Sequence, residues 1–99
     1  TISKVNAFID GELVCKLINY RYSRHEGETG QREFIIQRNG QAPKPEARPI
    51  QITLEAGKTY YVTTILEADV FKNQIYCQEV TETSALTVLP RLVADKKCL

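Results

Sequence analysis

The sequence predicts an all-β domain, an antiparallel sandwich of two sheets with about seven short strands, and a small β-barrel as the alternative. Three observations point there. Apolar residues recur with a period of two, not the ~3.6 of a helix. Turn signals such as Asp10-Gly11 and Asn39-Gly40 separate these runs at intervals of roughly 8 to 14 residues. Helical patterning is nearly absent. With 99 residues and 42% hydrophobic content, the chain reads as a single domain over 1–99 with one core, not a disordered or fibrous protein.

The elements follow in order. Val5, Ala7 and Ile9 alternate with polar neighbours, although Phe8 interrupts the polar face, and Asp10-Gly11 supplies a hairpin turn. From Glu12 to about Tyr22, Leu13, Cys15 and Leu17 share one face and Val14, Ile18, Tyr20 and Tyr22 the other. The apolar emphasis changes phase near Ile18, which marks a bulge or a strand leaving the core. Residues 23–31 hold two glycines and no large apolar side chain, so they form an exposed loop. Arg32–Arg38 returns to strand with Phe34 and Ile36 on one side. Pro43, Pro45 and Pro49 then fix φ and remove donors, which reads as an extended connector. Ile50, Ile52 and Leu54 make a strand, as does Thr59–Leu66, where β-branched and aromatic residues dominate. Glu67–Asn73, with Val70 and Phe71, is a turn region. A strand resumes at Gln74, Thr81–Ser84 is a polar turn, and Leu86, Val88 and Leu89 read as a short strand before Pro90. A last segment, Arg91–Ala94, precedes the charged end.

Leu54-Glu-Ala-Gly57-Lys-Thr-Tyr60-Tyr-Val62-Thr-Thr64-Ile-Leu66 resembles the tyrosine-corner stretch of fibronectin type III domains, with Ala56 where that family usually has proline. Tyr76-Cys77 is similar to an immunoglobulin F strand, except that Ile75 holds the place two before the cysteine, and the chain has no tryptophan. These resemblances imply an immunoglobulin-like or fibronectin type III-like sandwich.

Composition narrows the functions. Thirteen Lys and Arg against twelve Asp and Glu leave +1, too little for a protein held by a phosphate backbone. Nucleic acid is thus an unfavoured partner. No apolar run approaches the roughly 18 residues needed to enter a bilayer as a helix, so membrane insertion is not expected. The chain begins at Thr1 with no signal-peptide pattern, which fits a mature or trimmed protein.

Catalytic signals are missing. His25 is the only histidine and lies in the polar loop, outside any nucleophile-elbow or zincin pattern. Glu67 with Asp69, or Glu26 with Glu28, are spaced like ordinary solvated carboxylates. Gly27–Gly30 lacks the lysine and helix of a phosphate cradle. No metal or other cofactor is expected, because three cysteines and one histidine lack zinc-ligand spacing. Cys15 and Cys77, each inward by parity, suggest a disulfide across the core. Three cysteines also allow pairing of Cys77 with Cys98, or three free thiols.

Tyr20-Arg21-Tyr22-Ser23-Arg24-His25 is the one place where aromatics interleave with cations. Tyr and Arg are the side chains enriched at protein interface hot spots. The expected function is therefore a non-catalytic protein-binding module, a secreted or cell-surface recognition or adhesion domain. Tyr20, Tyr22, Arg24, His25 and Arg32 are the candidate binding residues, and the proline loop at 43–49 a second rim. Two other functions fit the pattern: a barrel contacting single-stranded nucleic acid through Tyr20, Arg21, Tyr22 and Arg32, and a protease inhibitor presenting the 23–31 loop. Reduced cysteines would instead indicate an intracellular domain. Oligomeric state is not encoded in any feature of the sequence.

Overall fold

The computed structural model describes residues 4–18, 20–68, 70, 73–95 and 98. In chain order they form β1 (Lys4–Ile9), β2 (Glu12–Ile18), β3 (Arg21–Tyr22), β4 (Gly30–Gln37), β5 (Ile50–Leu54), β6 (Tyr61–Ala68), β7 (Asn73–Val80), helix α1 (Glu82–Val88), a 3-10 turn at Leu89–Arg91, and β8 (Val93–Ala94). The mainly β composition agrees with the sequence pattern. A four-stranded antiparallel sheet has the order β2-β1-β4-β5, β6 and β7 form a separate antiparallel hairpin, and β3 lies parallel to β8.

The β1–β2 hairpin turns on Asp10 and Gly11, whose φ angles of 51° and 82° are the left-handed pair of a tight two-residue turn. Its register slips between Ala7 and Phe8, so β2 carries an extra residue there. Val5, Ile36 and Cys77 form the centre of a core to which Ala7, Leu17, Phe34, Ile50, Val62 and Ile75 add. One face of the four-stranded sheet thus packs on the β6–β7 hairpin. The opposite face of the two central strands is buried as well, with Asn6 beside Gln37 and Phe8 beside Ile35. Phe8 interrupts the polar face of its strand because that face too is covered in the fold.

Buried amides organise the proline segment. The Gln37 side chain donates to Asn39 O (2.6 Å) and Ala42 O (3.0 Å) and accepts from Lys44 N–H (3.0 Å), while the Asn6 amide donates to Gly40 O (2.9 Å). Residues 39–44 fold back onto the sheet, and a turn from Lys44 to Ala47 follows. This corrects the extended connector. The prolines exclude helix and central strand, as expected, but two buried amides need partners and fold the segment to supply them.

Three further expectations change. The alternative of a closed barrel is not formed, since β2 and β5 end the four-stranded sheet as unpaired edges among the described residues. The strand expected at Leu86–Leu89 is helix. Thr81 caps it by accepting from Ser84 N–H (3.2 Å), and Glu82 sits in its first turn, where carboxylates are favoured. Ala85 is its buried residue, so the alternation of Leu86 and Val88 faces solvent and carries no strand information. The single strand expected to reach Tyr22 divides into β2 and β3, in line with the phase change after Ile18. Phe71 and Asp69 lie outside the described residues.

The cysteine pairing also differs from the expected Cys15–Cys77 bridge. Cys15 is bonded to Cys98, with a Cα–Cα distance of 5.3 Å, and Cys77 is a free buried thiol. Parity placed both residues on the core face, but Cys15 is on edge strand β2, with β1 between it and β4. Cys77 sits over β4, its thiol 3.5 Å from Phe34 O. Two strand spacings are about 10 Å, beyond the ~7 Å Cα separation that a disulfide spans.

Candidate functional site

The candidate residues hang on the end of β2. Past Ile18 the chain turns at Tyr20, whose φ of 63° is rare for a bulky side chain, and leaves the main sheet. It then runs beside β8, with Val93 N–H donating to Tyr20 O (3.0 Å) and Asp95 N–H to Tyr22 O (2.8 Å). Tyr20 is 76% exposed and its neighbour Val93 63% exposed. Tyr22 is half-buried; Arg24 and His25 are exposed.

After Tyr22 the chain has no regular structure until Gly30. His25 Nε2 lies 3.0 Å from Ser23 Oγ, and partial burial of the ring lowers its pKa below the ordinary 6.5. Arg24, His25, Glu26 and Gly27 face Ile9, Asp10, Glu12 and Val14 of the first hairpin, with Cys98 at the margin, across an open hollow of about 630 Å³. The stretch from Tyr20 to Gly27 is thus a ridge that runs from the Ile18 end of β2 back to the Asp10–Gly11 turn.

Arg32 has a different task. Its Nη1 meets Asp10 Oδ2 at 3.1 Å, while Nε and Nη2 donate to Glu28 O (3.1 Å) and Thr29 O (2.8 Å). The guanidinium braces the loop against the hairpin instead of standing free beside the tyrosines. The proline segment, held by Gln37 and Asn6, lies at the other end of β4 from Arg32.

Asp10 closes this brace. Its carboxylate accepts from Glu33 N–H (2.9 Å) and from Arg32, and these bonds, the backbone one foremost, hold its pKa below the ordinary 3.8. A carboxylate with a lowered folded pKa stabilises the fold above its unfolded pKa and ceases to do so as pH falls through the folded value. Asp10→Asn keeps the turn preference and one acceptor but removes the charge. The urea midpoint of the native protein should exceed that of the variant at pH 6, and the two should converge as the pH falls through the lowered folded-state pKa of Asp10. A gap unchanged with pH would contradict the ionic brace.

No catalytic constellation assembles among the described residues. Cys98 borders the hollow that holds His25, but its sulfur is tied up in the disulfide. Burial raises the Cys77 pKa, which leaves its thiol unreactive. Cys15, Cys98 and Asp95 bring ligand atoms within 4.8 Å of one another, yet disulfide sulfurs lack the thiolate charge that binds zinc.

A second cluster went unread in the sequence. The Arg48 guanidinium stacks 3.8 Å from the Tyr76 ring centroid and donates to Gln74 Oε1 (2.8 Å), while Tyr76 Oη donates to Glu67 Oε1 (2.5 Å). Arg48 belongs to the proline segment and Tyr76 to β7, and only the fold brings them together, so no local spacing announces the pair. Tyr60 Oη, in the stretch that resembles a tyrosine corner, accepts from Glu55 N–H at 2.9 Å. No protein-family model, curated protein or solved structure matches the chain. No helix among the described residues is long and apolar enough to cross a membrane.

Proposed function

We propose that this chain is a non-catalytic protein-recognition module, a sandwich-like β scaffold working in an oxidising, extracellular or cell-surface setting, that binds through Tyr20, Tyr22, Arg24 and His25. The observation that carries this reading is Tyr20. A bulky residue in the left-handed region costs about 1 kcal/mol or more, and here the strain is spent on holding an aromatic ring 76% exposed. Such a ring contributes little to the fold and much to an interface that covers it. Arg24 and His25, both exposed, continue the ridge with polar groups. The Cys15–Cys98 bridge supports the compartment, because disulfides persist where thiols are not kept reduced.

The test is a binding screen of the purified protein against arrayed secreted proteins and ectodomains, repeated with Tyr20→Ala. Affinity for the selected partner should fall at least about tenfold while the unfolding midpoint is kept, and should change little with salt. Binding confined to a single-stranded oligonucleotide, weakening more than about tenfold between 50 and 200 mM salt, would overturn the reading in favour of nucleic acid.

A further inference from the structure

We infer that residues 23–28 are a substrate-like loop that occupies the cleft of an arginine-specific serine protease, with Arg24 entering the primary specificity pocket. The inference rests on the protein-recognition reading and names its partner class. Four features carry it.

Both feet of the loop are fixed. At one, Asp95 N–H holds Tyr22 O, three residues before the disulfide-bonded Cys98. At the other, the Arg32 guanidinium holds Glu28 O and Thr29 O and is itself anchored to Asp10. Between the feet, Arg24, His25, Glu26 and Gly27 are exposed, and none has a positive φ, as a chain laid along a protease cleft requires. Gly27 packs so closely on Leu54 that an added Cβ would lie 3.1 Å from its Cδ1, which seats the loop on the end of β5.

The third feature is the side-chain order. Ser23 and His25 meet at 3.0 Å, so both lie on one side of the chain. Arg24 stands between them on the rim of the hollow that faces the first hairpin. Among the described residues it makes no hydrogen bond or ion pair, so its charge is available to a carboxylate at the base of a pocket. The fourth is energetic. A loop tied at both feet has less conformational freedom to lose on association, and pre-organised loops support interfaces of about 1,600 Å² with little backbone movement. Glu26, on the side of the departing amine, favours proteases with a basic rim there, whereas the Glu28 carboxylate is paired with Arg32 at 3.7 Å.

The experiment measures inhibition of trypsin, of arginine-specific proteases with and without a basic rim, and of chymotrypsin as a control, with intact mass followed throughout. Inhibition of at least one arginine-specific enzyme is expected below about 10 μM, stronger for those with a basic rim, and none of chymotrypsin. Arg24→Ala should weaken it at least about a hundredfold, whereas Arg24→Lys stays within about tenfold. The position is exposed, so folding is preserved in both variants, which unfolding midpoints check. Absence of inhibition at about 100 μM, or rapid cleavage after Arg24 without inhibition, overturns the inference. Tyr20-dependent partner binding on the same preparations shows separately whether the recognition reading stands.

Discussion

Replacing Cys15 and Cys98 together by alanine should lower the unfolding free energy by about 4 kcal/mol. The bridge joins residues 83 apart in sequence, and in the chain-entropy account a closed loop of that length restricts the unfolded chain by about 4.5 kcal/mol. Cys15 is only 4% exposed, so its truncation also leaves a small gap beside Ala7. For a domain of this size the melting temperature should drop by roughly 15 to 30 °C. Thermal unfolding by circular dichroism checks this, and dithiothreitol should bring the native protein to nearly the same midpoint. A drop of only a few degrees would mean that the bridge does not hold the fold together.

Phe8→Ala should cost about 3 to 5 kcal/mol, comparable with the bridge. Phe8 is 1% exposed and lies on the central strand β1, opposite Ile35 and next to the register slip. Removing the ring exposes a cavity between elements that cannot close up without moving the bulge. Phe8→Leu, which keeps most of the volume, should cost less than half as much. Val70→Ala, at a position 91% exposed, is the control and should leave the urea midpoint within error. Equal effects at positions 8 and 70 would contradict the assignment of Phe8 to the core.

Much of the fold was legible because strand periodicity and turn chemistry are local. Asp10-Gly11 announces its hairpin since two adjacent left-handed residues are tolerated by few other pairs. Ile50, Ile52 and Leu54 read correctly for the same reason, as does the departure of the chain after Ile18. The helix at Glu82–Val88 was missed because Leu86 and Val88 mimic a strand, while its true signals, the Thr81 cap and a single buried Ala85, are small. The proline segment was misread because its shape is set by Gln37 and Asn6, which are remote in sequence or lie on another strand. Parity correctly turned Cys15 and Cys77 toward the core but carries no information on how many strands separate them. At the candidate site, the exposure of Tyr20, Arg24 and His25 follows from the polar loop beside them. The diversion of Arg32 into a brace depends on Asp10, which sits 22 residues away.

The pairing of the cysteines tests the account most directly, since the bridge fixes the C-terminal residues that hold Tyr22 and, with it, one foot of the recognition ridge. Alkylation of the unfolded, unreduced protein followed by peptide mapping should find one bridge joining Cys15 to Cys98 and one alkylated thiol at Cys77. A bridge that includes Cys77, or three alkylated cysteines, would contradict the account.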